Sequence, residues 1–86
     1  MKKKIAGYTV HAGRFGVVLG FCVNQPKDVQ GILWAGGTGW MSALFKTTKQ
    51  AQKAVDKTEQ YAISEGMTRN NHPIWFEHHI EPVREA

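Results

Sequence analysis

A chain of 86 residues, 42% hydrophobic and 21% charged, reads as one globular domain spanning residues 1–86. It has no room for a second core and falls far short of the roughly 250 residues of a TIM barrel. The formal net charge is +4, unevenly placed: residues 1–57 carry nine lysines and arginines against Asp28 and Asp56, whereas residues 58–86 carry Arg69 and Arg84 against five glutamates.

The single cysteine, Cys22, cannot form an internal disulfide, so the reducing cytoplasm is the expected location. Met1-Lys2-Lys3-Lys4 imitates the start of a signal peptide. His11 and Arg14 then break the apolar stretch that should follow, and no small-residue cleavage site ends it. The uncharged run from Val29 to Phe45 is interrupted by Gly31, Gly36, Gly37 and Gly39, so no membrane span is expected.

Lys4 to Ala12 is strand-like, and Gly13-Arg14 makes a turn. Phe15, Val17, Leu19, Phe21 and Val23 then alternate with Gly16, Val18, Gly20 and Cys22, a period-2 pattern that predicts a second strand. Its large residues should face the core. Its small face admits a close neighbour: a partner, a second protomer or the chain itself. Asn24 to Asp28 reads as a loop around Pro26, which cannot donate to a ladder. Gly31 to Ala35 and Trp40 to Phe45 read as two further strands, joined by a hairpin turn at Gly36-Gly37-Thr38-Gly39. That turn lacks the Gly-Lys-Ser/Thr ending of a phosphate-binding loop.

Thr47 to Glu65 is the one predicted helix. Thr47 and Gln50 have capping-box spacing, and Gly66 suits the left-handed residue that ends a helix. Ala51, Ala54, Val55, Thr58, Tyr61 and Ala62 make one inward face. After a loop from Thr68 to Pro73, Ile74 to Val83 reads as a last strand. Ile74, Phe76, His78 and Ile80 take one side of it; Trp75, Glu77, His79 and Glu81 take the other. Pro82 places it at an edge or at its end. The predicted fold class is α+β: a single antiparallel β-sheet in the order β-β-β-β-α-β, with one α-helix packed on one face.

Catalytic signatures are weak. Cys22 and His11 form a thiol–imidazole pair on paper, but Cys22 lies in an apolar strand with no cation beside it. Glu77, His79 and Glu81 project from one strand face about 6.5–7 Å apart, a spacing that metal ligands and ordinary solvent-facing residues share. No enzyme, metal or cofactor is expected.

The binding signals are stronger. Lys49, Lys53 and Lys57, spaced i, i+4, i+8, stack on the outer side of the helix, with Lys46 and the Lys2-Lys3-Lys4 tail as possible extensions. Asp56 can relieve part of their repulsion through Lys53. Trp34 and Trp40 flank the glycine turn and would form a cross-strand pair if their strands meet there. Trp75 falls on the polar face of the last strand, where it reads as an interface residue; Glu77 and Glu81 beside it would repel phosphate.

Phe45-Lys46-Thr47-Thr48 leading into the alanine-rich helix is similar in style to the small accessory proteins of bacteriophages and mobile elements. That resemblance implies a role in binding and blocking host machinery, as anti-CRISPR-type inhibitors do. The expected function is a non-enzymatic protein-binding module, an inhibitor or regulator of a nucleic-acid-handling protein, using Lys46, Lys49, Lys53, Lys57, Trp34, Trp40 and Trp75. Self-association into a homodimer is a further option. The alternative is a basic nucleic-acid-binding protein using the lysine stripe.

Overall fold

The computed structural model describes residues 4–14, 16–23 and 25–85. The Lys2-Lys3 part of the tail, the core placement of Phe15 and the loop position of Asn24 lie outside them.

The fold is α+β. Strand β1 (Ile5–Ala12) runs along the middle of a three-stranded antiparallel ladder, between β2 (Val17–Val18) and β5 (His78–Arg84). A second antiparallel ladder joins β3 (Gly20–Cys22) to β4 (Trp40–Ser42). Backbone bonds from Leu19 to Val10, from Ala43 to Leu19 and in both directions between Tyr8 and Phe45 knit the two ladders together along β1. Helix α1 (Thr48–Ser64) packs on one face.

Helix α1 forms where its local signals place it. Thr47 has extended backbone, and its hydroxyl accepts from Gln50 N at 3.1 Å. Gln50 completes the reciprocal bond one residue early, accepting from Lys46 N at 3.2 Å. At the other end Met67 N reaches Ala62 O and Gly66 N reaches Ile63 O, with Gly66 at φ 79°. This closure satisfies two carbonyls that the helix itself cannot pair. Ala51, Ala54, Val55, Thr58 and Ala62 are buried, so the small side chains bring α1 close to Val10, Ala12 and Leu19 of the sheet side.

The alternating segment from Val17 to Val23 is not one strand. Leu19, 4% exposed, enters the core, and the chain passes there from the first ladder to the second. Val17 and Val23 consequently stand exposed rather than facing the core, and Val18 on the other side is exposed too. The small side of this segment is filled by the chain itself. A Cβ on Gly20 would collide with the backbone carbonyl of Met41. The Cys22 thiol donates to Gly36 O at 3.5 Å.

Two other expectations are corrected. Gly31 to Ala35 is not a strand: Ile32 and Leu33, both 2% exposed, are buried in succession, and only Trp34 pairs, with Gly20. The glycine segment is therefore not a hairpin turn. Gly20 takes Trp34 on one side while β4 occupies the other edge of β3, so β3 lies between the two segments that the turn would have paired. The last strand starts later than predicted. Pro73 opens a short 3₁₀ turn, Pro73–Phe76, and β5 follows from His78. Among the described residues strand β5 pairs only with β1, and its edge position accommodates Pro82.

Candidate functional site

Lys49, Lys53 and Lys57 all stand exposed on the outer side of α1, and Lys46 is exposed just before the helix begins. No carboxylate among the described residues lies within salt-bridge distance of these lysines. Asp56 forms no ion pair with Lys53. Its carboxylate accepts from Gln52 Nε2 at 2.9 Å instead. Among the described residues the stripe is therefore not neutralised by an ion pair.

An open apolar groove runs beside the stripe. Phe21 from β3 and Phe45 from the β4–α1 connection meet edge to face, with centroids 6.0 Å apart, and are only partly buried. Gln50, Lys53 and Lys57 form the helical bank of this groove, and Gly31 faces them. Gly31 has φ 83°, and a Cβ there would meet Lys57 Nζ at 2.9 Å. The glycine lets the Lys57 stem lie flat over the loop, apolar below and charged at its tip. Phe21 and Phe45 did not stand out in the sequence as binding residues; their period-2 positions marked them only as strand side chains.

The three tryptophans turn inward. Trp40 Nε1 donates to Trp34 O at 2.8 Å, so the two touch, but through side chain and backbone and not as a cross-strand ring pair. Trp75 lies in the Pro73–Phe76 turn and not on the polar face of a strand. Its ring meets Trp34 edge to face at 5.4 Å and Tyr61 at 5.9 Å, and Trp34 meets Tyr61 at 6.0 Å. These separations are direct contact, so the cluster has no central space for a cation, as an aromatic cage would.

Next to this cluster lies a half-enclosed cavity of about 240 Å³. Ala12, Leu19 and Leu33 form its floor, and Trp34, Ile74 and Trp75 its walls. Thr58 and His78 also line it. The Thr58 hydroxyl is fully used: it donates to Ala54 O at 2.8 Å and accepts from Leu33 N at 3.0 Å. The His78 side chain is 4% exposed, and its Nδ1 lies 3.4 Å from Glu59 Oε1. Burial holds this imidazole below its ordinary value of 6.5. The hydrogen bond and the charge of Glu59 pull upward but lose to burial, because Glu59 is 33% exposed and solvent screens it; neighbouring His79 adds a smaller downward push. His78 is therefore neutral at pH 7, with its proton on Nδ1 donated to the carboxylate. Trp34 Nε1 is buried with no acceptor among the described residues, a state that costs about 1–3 kcal/mol.

The paper catalytic pairs do not assemble. His11 is engaged by Thr9 Oγ1 at 2.9 Å and Gly16 O at 3.0 Å, and Cys22 by Gly36. Among the described residues no three acidic, histidine or cysteine side chains are grouped to hold a metal, so Glu77, His79 and Glu81 do not form such a set. No helix among these residues is long and apolar enough to cross a membrane. Comparison of the chain with protein-family models, with curated proteins and with solved structures finds no match.

Proposed function

We propose that the chain is a small non-enzymatic protein-binding module, acting in the cytoplasm as an inhibitor or regulator of a nucleic-acid-handling protein. The observation that carries this reading is the stripe of Lys49, Lys53 and Lys57, without an ion-pair partner among the described residues, alongside the Phe21–Phe45 groove. A partner that fits it presents a row of carboxylates with an apolar side chain beside them. The charges speed encounter and set register, while the buried apolar anchor supplies most of the affinity. A single-strand nucleic-acid binder needs exposed rings on which bases stack. Trp34, Trp40 and Trp75 are committed to internal contacts instead, which favours a protein partner.

The test is retention from a lysate of the native host on immobilised protein, with and without nuclease, beside the Lys49→Glu/Lys53→Glu/Lys57→Glu variant. A discrete protein that survives nuclease and is lost with the triple variant supports the reading. Nucleic acid retained by the wild type, with proteins lost on nuclease treatment, replaces it with the nucleic-acid-binding alternative.

A further inference from the structure

We infer that the free edge of β5 takes up an extended segment of a partner protein whose side chains alternate between basic and apolar. This surface uses other residues than the lysine stripe and has the opposite sign, so it does not depend on what the stripe binds.

The backbone fixes which groups the edge offers. Gly13 N donates to Glu77 O at 3.0 Å, and Glu85 N donates to Lys4 O at 2.9 Å. These two bonds bracket β5 and set its alternation. Glu77, His79, Glu81, Val83 and Glu85 turn their backbone groups toward β1, and His78, Ile80, Pro82 and Arg84 turn theirs outward. The irregularity between Ile5 and Gly7 lies on β1 and leaves this parity intact. Among the described residues no other strand bonds to the outward row. Proline and charge are the usual guards of such an edge. Pro82 falls on the outward side, so it withdraws one donor there and leaves those of His78, Ile80 and Arg84, with the carbonyls of all these residues.

Side chains then choose the occupant. Ile80 packs against the core, so Glu77, His79 and Glu81 stand on the opposite face of the strand. No salt bridge among the described residues holds Glu77 or Glu81. A strand added at the edge sets alternate side chains beside these two carboxylates, where basic groups are favoured. Its intervening side chains lie beside Ile80, where apolar groups extend the core. A second copy of this chain fits less well. The antiparallel register that joins the most outward groups of two β5 strands is centred on Glu81. It sets that carboxylate directly across from its own copy, a destabilising pair.

The full chain, labelled with ¹⁵N, is titrated with the capped peptide Lys-Val-Lys-Val-Lys-Val-Lys, as long as β5 itself, and with the same peptide carrying glutamate in place of lysine. Amide hydrogen exchange is read residue by residue. In the free protein the amides of His79 and Glu81, bonded to β1, should exchange slowly, and those of His78, Ile80 and Arg84 fast. The expected result is a saturable slowing at His78, Ile80 and Arg84 with the lysine peptide, about tenfold at about 90% occupancy, and none there with the glutamate peptide. Glu77→Gln/Glu81→Gln should weaken the lysine peptide about threefold to tenfold. The inference is overturned if the lysine peptide slows none of these three amides, or if both peptides slow them equally. It is also overturned if the three are already slow in the free protein and slow further as its concentration rises, as a second copy on the edge would produce. The two-peptide comparison in the wild-type chain decides the matter even if the double variant does not fold.

Discussion

The hydroxyl of Thr58 ties the middle of the helix to the buried loop at Leu33 by hydrogen bonds. It accepts from Leu33 N at 3.0 Å while donating to Ala54 O at 2.8 Å, and Thr58 is 1% exposed. Through this link the helix fixes the segment that carries Trp34, and with it the wall of the cavity. Thr58→Val keeps the shape and removes the acceptor, leaving a buried N–H unpaired. We expect it to lower stability by about 1–3 kcal/mol in urea unfolding. Thr58→Ser should lose less than half as much, since it keeps the hydroxyl.

Gly20 sits where β3 is pressed between two neighbours. It exchanges backbone bonds with Trp34 at 2.9 and 2.8 Å, and a Cβ added to it would run into the carbonyl of Met41. The obstacle is backbone, so no rotamer change relieves it. Gly20→Ala is expected to cost about 3 kcal/mol, the upper part of the overpacking range. Gly36→Ala is the comparison, since no atom lies within 4 Å of a Cβ there and only the backbone strain of φ 158° is added. Thermal unfolding of the two variants side by side should show a large loss for Gly20 and a clearly smaller one for Gly36.

His78 makes stability depend on pH. Burial depresses its pKa below the ordinary 6.5, so the unfolded chain binds the proton more readily than the folded one. The stability this supplies is complete above 6.5 and is lost as pH falls below that value toward the folded-state pKa. The urea midpoint should therefore drop between about pH 7.5 and about pH 5.5. His78→Leu removes the titrating group and keeps an apolar side chain, so its midpoint should fall less over the same interval. An equal fall in both proteins would assign the effect to other histidines.

Helix α1 was the most legible part of the sequence, because its signals are local. Thr47, Gln50 and Gly66 mark its ends, and the 3.6-residue spacing marks its buried face. Strand β1 and the edge position of β5 follow from similarly local patterns. The middle of the chain depends on which distant segment fills a gap. Alternation from Val17 to Val23 predicts one strand, and nothing within it marks Leu19 as the point where the chain leaves one ladder for the other. A glycine run between two apolar segments has the composition of a hairpin; the insertion of β3 between those segments is a long-range event. Trp75 was misplaced because Ile74 to Ile80 alternates like a strand, whereas Pro73 starts a 3₁₀ turn that drives the ring onto Trp34 and Tyr61. The lysine stripe was legible because three lysines on one helix need no tertiary information. The Phe21–Phe45 groove beside it was not, since its two rings come from segments 24 positions apart.

The most direct test of the proposed binding surface is a lysine footprint. Mild acetylation of the free protein, and of the protein carrying its retained partner, is compared residue by residue by mass spectrometry. The account predicts that Lys49, Lys53 and Lys57 are modified in the free protein and protected in the complex, while Lys27 reacts equally in both. Equal modification of the three helix lysines in both states would contradict it and place the partner on another face.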